Sequence, residues 1–161
     1  MSIAKVFDFL GNMGLMARGD KPKVVELKGR AWGGEVAGLS LSAQQTARQD
    51  ADELPTLSLV LRNNGAETIQ ISAAGWLSFY RLEVTTAEGA AVALSPYGTQ
   101  LLNSSRRTEH VETPLAPGAV TEALVPIGSL YAMRPRQSYR VTASCTLANG
   151  TSLVSNEAPI V

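Results

Sequence analysis

Residues 57–71, LSLVLRNNGAETIQI, constrain the fold more than any other stretch of this chain. Leu57, Leu59 and Leu61 alternate with Ser58, Val60 and Arg62, and Ile69 and Ile71 resume the alternation after Asn63-Asn64-Gly65. Successive side chains of a strand point to opposite faces, so the pattern predicts a half-buried strand, a tight turn and a second strand. Asn-Gly suits that turn because both residues tolerate positive φ.

Similar units recur to the C-terminus. Ala37, Leu39 and Leu41 alternate with Gly38, Ser40 and Ser42, and Tyr80, Leu82 and Val84 alternate with Phe79, Arg81 and Glu83. Val92 and Leu94 continue into a short strand ended by Pro96, and Val111–Leu115 and Val120–Ile127 flank Ala116-Pro117-Gly118, the Pro-then-Gly order of a type II turn. Residues 97–110 have no steady period and read as an exposed connection, while Gly128–Met133 reads as a helical turn broken by Pro135. Tyr139–Thr146, Asn149-Gly150 and Thr151–Ser155 spell a hairpin. The expectation is an all-β, antiparallel sandwich of about eight strands, with no alternation of strands and helices.

The N-terminus differs. Ile3, Val6, Phe7, Leu10 and Met13 share one face of a helix over residues 2–16, and all four lysines lie in the first 28 residues. This divides the chain into an amphipathic arm, residues 1–20, and a sandwich domain, residues 21–161. Phe7, Leu10 and Met13 are the arm's candidate docking residues. Val24 to Leu27 offers a short strand after the linker glycines and Pro22.

Composition narrows the function classes. Hydrophobic residues make up 45% of the 161, enough for one core, and charged residues only 17%, below the roughly 25% typical of soluble domains. Fourteen basic residues balance fourteen acidic ones, which argues against a protein that binds nucleic acid through bulk positive charge. No segment reaches the ~20 apolar residues of a membrane span. Asp8, Gly11 and Asn12 break the apolar N-terminus, so no classical signal peptide is expected and the cytoplasm is favoured.

With these strands in place, the chain resembles the immunoglobulin-like and fibronectin-like sandwiches found in many bacterial and viral proteins. The resemblance spans residues 36–158 and rests on LSLVLRNNGAETIQI, SFYRLEVTTAEGAAVAL, the LAPG turn and SYRVTASCTLANGTSLVSN. It implies an immunoglobulin-like fold, with Tyr139 in the place of the corner tyrosine whose hydroxyl bonds back to the upstream backbone. The strand order with its Pro-Gly turn is also similar to small bacterial proteinase-inhibitor sandwiches. Resemblance of this kind carries a fold and no activity.

Reactive groups are few. His110 is the only histidine and Cys145 the only cysteine, which excludes zinc sites built on these residues and any intrachain disulfide. Cys145 continues the alternation Tyr139, Val141, Ala143 and so reads as a buried core thiol. Asp50, Asp52 and Glu53 form an acidic loop without the spacing of a calcium loop. The expectation is therefore a non-enzymatic protein–protein interaction or structural module, without cofactor or metal, whose arm docks on a protein partner or a second copy. The alternative is a proteinase-inhibitor-like or carbohydrate-binding sandwich that uses its end loops, with Tyr97, Arg106, Arg107, Arg134 and Arg136 as candidate contacts. Arg forks match anionic groups, and aromatic faces stack on sugars.

Overall fold

The computed structural model describes residues 27–47, 53–72, 79–105 and 112–161. The predicted arm helix, with Phe7, Leu10 and Met13, lies outside the described residues, as do Arg106, Arg107 and all of the Val24–Leu27 strand but Leu27. The described residues form an all-β structure in which every strand pairing is antiparallel. Its strands are β1 (Leu39–Gln45), β2 (Leu57–Asn63), β3 (Ile69–Ser72), β4 (Tyr80–Thr86), β5 (Glu112–Leu115), β6 (Val120–Val125), β7 (Tyr139–Thr146), β8 (Ser152–Val154) and β9 (Ala158–Ile160). Two short helices, α1 (Pro96–Ser105) and α2 (Ile127–Leu130), interrupt them.

The hairpin predicted over residues 57–71 does not form. β2 lies between β1 and β6, whereas β3 pairs with β5. Leu57 to Arg62 run opposite Val125 to Val120, and beyond a corner Ile69 to Ser72 run opposite Leu115 to Glu112. Asn63-Asn64-Gly65 therefore bends one long two-stranded ribbon instead of reversing the chain. Neither Asn64 nor Gly65 has positive φ; that conformation belongs to Ala37 (52°) and Gly38 (81°). These two close a tight turn in which Val36 and Leu39 exchange both backbone hydrogen bonds at 2.9 Å. Ala37 and Gly38 thus precede β1 instead of belonging to it.

β2 is also not half-buried. Leu57, Leu59 and Leu61 are fully buried on one face, and Ser58 and Val60 are at most 3% exposed on the other. The segment from Leu27 to Val36 lies over this second face. A strand covered on both sides needs small or apolar residues at every position, which Ser58 and Val60 satisfy.

Beside the two-stranded β3–β5 sheet, the other large sheet is built on β7, with β4 along one side and β8 and β9 sharing the other. Tyr139, Val141, Ala143 and Cys145 are buried while Arg140 and Thr146 are exposed, as the alternation predicts. Leu147 and Thr151 close the β7–β8 hairpin, with Gly150 at φ 87°. The side chains of Leu39, Leu41, Leu57, Leu59 and Leu61 join those of Val141, Ala143, Leu153 and Ile160 in one hydrophobic core. The sheets also meet edge to edge through side-chain amides. Asn156 accepts from the Ala43 N–H and donates to its carbonyl, both at 2.9 Å, and Gln45 does the same for Val161 at 3.0 and 3.3 Å. Each amide substitutes for a backbone partner.

The expected connection over 97–110 instead begins with helix α1. Ser95 caps it by accepting the Gly98 N–H at 3.0 Å, and Pro96 follows at the first helical position. Residues 106–110 lie outside the described residues. Val92 and Leu94 form no strand: Val92 donates to Val84, and Leu94 makes an isolated bridge with Tyr131. β6 ends at Val125, before Pro126, and the helical turn starts at Ile127.

Candidate functional site

The outer face of β1-β2-β6 gathers the chemistry-bearing side chains. Alternation places Ser40 and Ser42 of β1, Ser58, Val60 and Arg62 of β2, and Val120, Glu122 and Leu124 of β6 on this face. Residues 27–36 cross it as a strap. A turn at Leu27–Arg30, with Gly29 at φ 78°, aims Arg30 into the sheet.

Arg30 is the centre of a polar cluster. Its Nε donates to Ser42 Oγ at 2.9 Å, Nη1 to Ser58 Oγ at 3.2 Å and Nη2 to the Ser58 carbonyl at 2.9 Å. Ser42 Oγ donates in turn to the Ala31 carbonyl at 2.6 Å, and Ser58 Oγ to Glu122 Oε2 at 2.6 Å. Burial lowers the pKa of the Arg30 guanidinium, and the Glu122 carboxylate partly offsets this. Ser58 is thus a relay between opposite charges. Buried at 3% exposure and bonded on both sides, it is a positioned structural hydroxyl and not an open nucleophile.

Beside this cluster the strap makes apolar contacts. Leu27 and Trp32, both partly buried, pack on Val60 and Val120 as a cluster separate from the main core. The Arg62 guanidinium carbon stands 3.9 Å over the Trp32 ring, a cation–π stack. Gly33 donates to the Leu41 carbonyl at 2.9 Å and lies directly against the backbone of Val154 and Ser155, where a β-carbon has no room. Asn64 Nδ2 reaches Ser40 Oγ at 3.3 Å and Glu35 at 3.4 Å.

The two edges of this sheet differ. On β1, both outward groups of Leu39, the Leu41 carbonyl and both groups of Ala43 are bound by Val36, Gly33 and the Asn156 amide. On β6, Ala119 accepts from Asn63 on the β2 side, so the odd residues face β2 and Val120, Glu122 and Leu124 direct their backbone groups away from it. Among the described residues no strand pairs with that side of β6. Leu124 is 41% exposed there, and no Pro, Gly or Lys interrupts Val120–Val125. Within the described residues this is a bare strand edge of the kind that accepts another strand.

Of the residues singled out from sequence, Tyr97 lies on α1 and is 54% exposed. Arg134 and Arg136 are exposed in the loop before β7, where Arg136 holds φ 62°. α1 and α2 pack together: Gly98 meets the Leu130 backbone and Ser95 Oγ donates to the Ser129 carbonyl at 2.7 Å. The segments beginning at 97 and 128 are thus neighbours at one end. The Tyr139 hydroxyl oxygen accepts from the Arg134 N–H at 2.6 Å. Phe7, Leu10, Met13, Arg106 and Arg107 lie outside the described residues.

Cys145 is buried, and burial pushes its thiol up to about 12. Burial raises the pKa of Tyr80, its partner across the sheet, with Cys145 adding to the effect. Among the described residues no three His, Cys, Asp or Glu side chains gather to hold a metal, and no helix is long and apolar enough to cross a membrane. Sequence reading missed Arg30, Ser42, Ser58 and Glu122. The available signal was the run of serines at the outward positions of β1 and β2, small enough to admit a covering segment.

No protein-family model matches this chain, and no curated protein does. Among solved structures, a crystal structure described as the ApaA protein of Bordetella pertussis is similar over 82% of this chain and 91% of that one. The identity is 18% and the TM-score 0.27.

Proposed function

We propose that this protein is a non-enzymatic interaction module, an immunoglobulin-like sandwich that binds a second copy of itself or an extended segment of a protein partner. The observation that carries this reading is the bare edge of β6. Val120, Glu122 and Leu124 each present an N–H and a C=O away from β2, beside the exposed Leu124 side chain. Strand addition takes its affinity from such main-chain groups and its specificity from the alternate side chains. The sandwich part of the reading draws on the single core shared by the two sheets and on the Tyr139–Arg134 contact. The commitment of Arg30, Ser42, Ser58 and Glu122 to one another accounts for these groups without catalysis.

Leu124→Pro tests the edge. The Leu124 N–H takes no part in the β2 pairing, so proline there removes an outward donor and spares the ladder. Light scattering over a concentration series, and cross-linking of the full chain in its own cells, measure association. The expected result is association by the native chain and its loss in a still-folded proline variant. Association that survives the substitution excludes this edge, and a native chain that neither self-associates nor cross-links sinks the interaction reading.

One observation favours a second reading, a proteinase-inhibitor-like or carbohydrate-binding sandwich: Tyr97 stands exposed on a helix buttressed by α2. Binding to a glycan array or inhibition across a protease panel, lost on Tyr97→Ala, would establish it instead.

A further inference from the structure

We infer that residues 27–35 form a latch that opens as one unit about the Ala37–Gly38 turn while both sheets stay folded. Opening uncovers Val60 and Val120 and withdraws Arg30 from the Ser58–Glu122 pair beside the bare β6 edge. This gives the proposed interaction surface a closed and an open state, and in that respect rests on the interaction reading.

The latch is attached differently from the rest of the molecule. Its apolar hold is the small cluster of Leu27 and Trp32 on Val60 and Val120, separate from the core between the sheets. Its other attachments include hydrogen bonds at partly buried positions, from Arg30 to Ser42 and Ser58 and from Ser42 to Ala31. The Gly33–Leu41 bond, the Arg62–Trp32 stack and the Asn64–Glu35 contact add to these. Water competes for the hydrogen-bonding groups on opening, so each bond shifts the opening equilibrium by a net factor of only about 5 to 150. Burial also disfavours the Arg30 charge, which regains hydration when the strap leaves. The leucines of β1 and β2 point to the opposite face and keep their packing in either state. Segments with few buried apolar contacts open at lower free energy than the global transition.

The Ala37–Gly38 turn supplies the hinge. Its Val36–Leu39 pair and the bond from the Asn64 N–H to the Gly38 carbonyl, 2.7 Å, keep it on the sheet. Gly38 packs so closely on Gly65 that a β-carbon would meet its α-carbon at 2.8 Å. The strap N-terminal to it is anchored on the sheet by side chains and by the Gly33–Leu41 bond.

Native-state hydrogen exchange of the full chain in rising urea tests the latch directly. The Gly33 amide, bonded to the Leu41 carbonyl, reports on the strap, and the Asn63 amide, bonded to the Ala119 carbonyl, reports on the β2–β6 ladder. The expected result is a Gly33 amide that exchanges faster than Asn63 and with a shallower urea dependence. Arg30→Gln should accelerate Gly33 exchange by roughly tenfold and leave Asn63 unchanged. Equal rates and equal urea slopes for the two amides in the native chain overturn the latch, as does an Arg30→Gln effect shared by both. No partner is present in this measurement, so its failure leaves the β6 edge standing, and Leu124→Pro tests that edge separately.

Discussion

The Asn63 side chain joins the two halves of a bent ribbon by donating to the Leu115 carbonyl at 2.9 Å, fully shielded from water. The same Nδ2 donates to the Glu67 carbonyl at 2.8 Å, and Oδ1 accepts the Gly65 N–H at 2.9 Å. One amide thus serves three backbone groups where the chain leaves one sheet for the next. Asn63→Ala removes all three bonds, the one to Leu115 at a fully buried position, and should destabilise the fold by about 2 kcal/mol. Asn63→Asp, which has no N–H to offer either carbonyl, should lose at least as much at neutral pH. Urea denaturation of both variants measures this; a loss within error of zero would mean that water replaces the amide.

Gly98 offers a test whose sign departs from helix propensity. Alanine in a helix interior is favoured over glycine by about 1 kcal/mol. Here the added β-carbon would run into the Leu130 carbonyl of α2, which is backbone and cannot move aside alone. Gly98→Ala should therefore lower the melting temperature and loosen α1 from α2. A rise in melting temperature would show that the helices separate at little cost.

The strands were legible where one face is wet. β7, with exposed Arg140 and Thr146 between buried Tyr139, Val141, Ala143 and Cys145, follows period two and was readable at sight. β2 was readable as a strand but not as a covered one, because Ser58 and Val60 suit a buried and an exposed face alike. Its pairing was misleading for a different reason: Asn63-Asn64-Gly65 has the composition of a hairpin turn, and local composition does not report that Asn63 finds its partners at Leu115 and Glu67. The cap of α1 is written in Ser95-Pro96, but a proline after apolar alternation equally spells the end of a strand. The Arg30 cluster joins the strap to three strands through bonds between residues 12 or more apart, and no local period records it.

Buried Cys145 and its partly buried cross-sheet neighbour Tyr80 predict a loss of stability in alkali. Burial moves the Cys145 thiol from 9.0 to about 12 and raises Tyr80 above its ordinary 10.0. In the unfolded chain both groups ionise first. Between pH 9 and 12 the unfolded state therefore holds fewer protons than the folded one, and stability falls as pH rises. Each group steepens the fall by up to roughly 1.4 kcal/mol per pH unit within its window. Denaturation midpoints taken from pH 7 upward should decline above pH 9, and Cys145→Ala should remove the earlier part of that decline. An identical pH profile for the variant would show that the thiol ionises in the folded protein without penalty.

The N-terminal arm gives a test that separates docking from folding. Ile3, Val6, Phe7, Leu10 and Met13 share a helical face in the sequence, while the strands close their core with residues from Leu39 onward. If the arm's apolar face is meant for a partner or a second copy, deleting residues 1–20 removes association and nothing else. The truncated chain should then keep its β circular-dichroism spectrum and its urea midpoint, and its light-scattering mass should stay that of the monomer at concentrations where the full chain associates. Phe7→Ser with Leu10→Ser should reproduce the loss without shortening the chain. If truncation instead lowers the urea midpoint as steeply as a core substitution, the arm's apolar face packs on the protein's own sheets. The β6 edge would then stand as the surface left for association, and Leu124→Pro would be the variant that abolishes it.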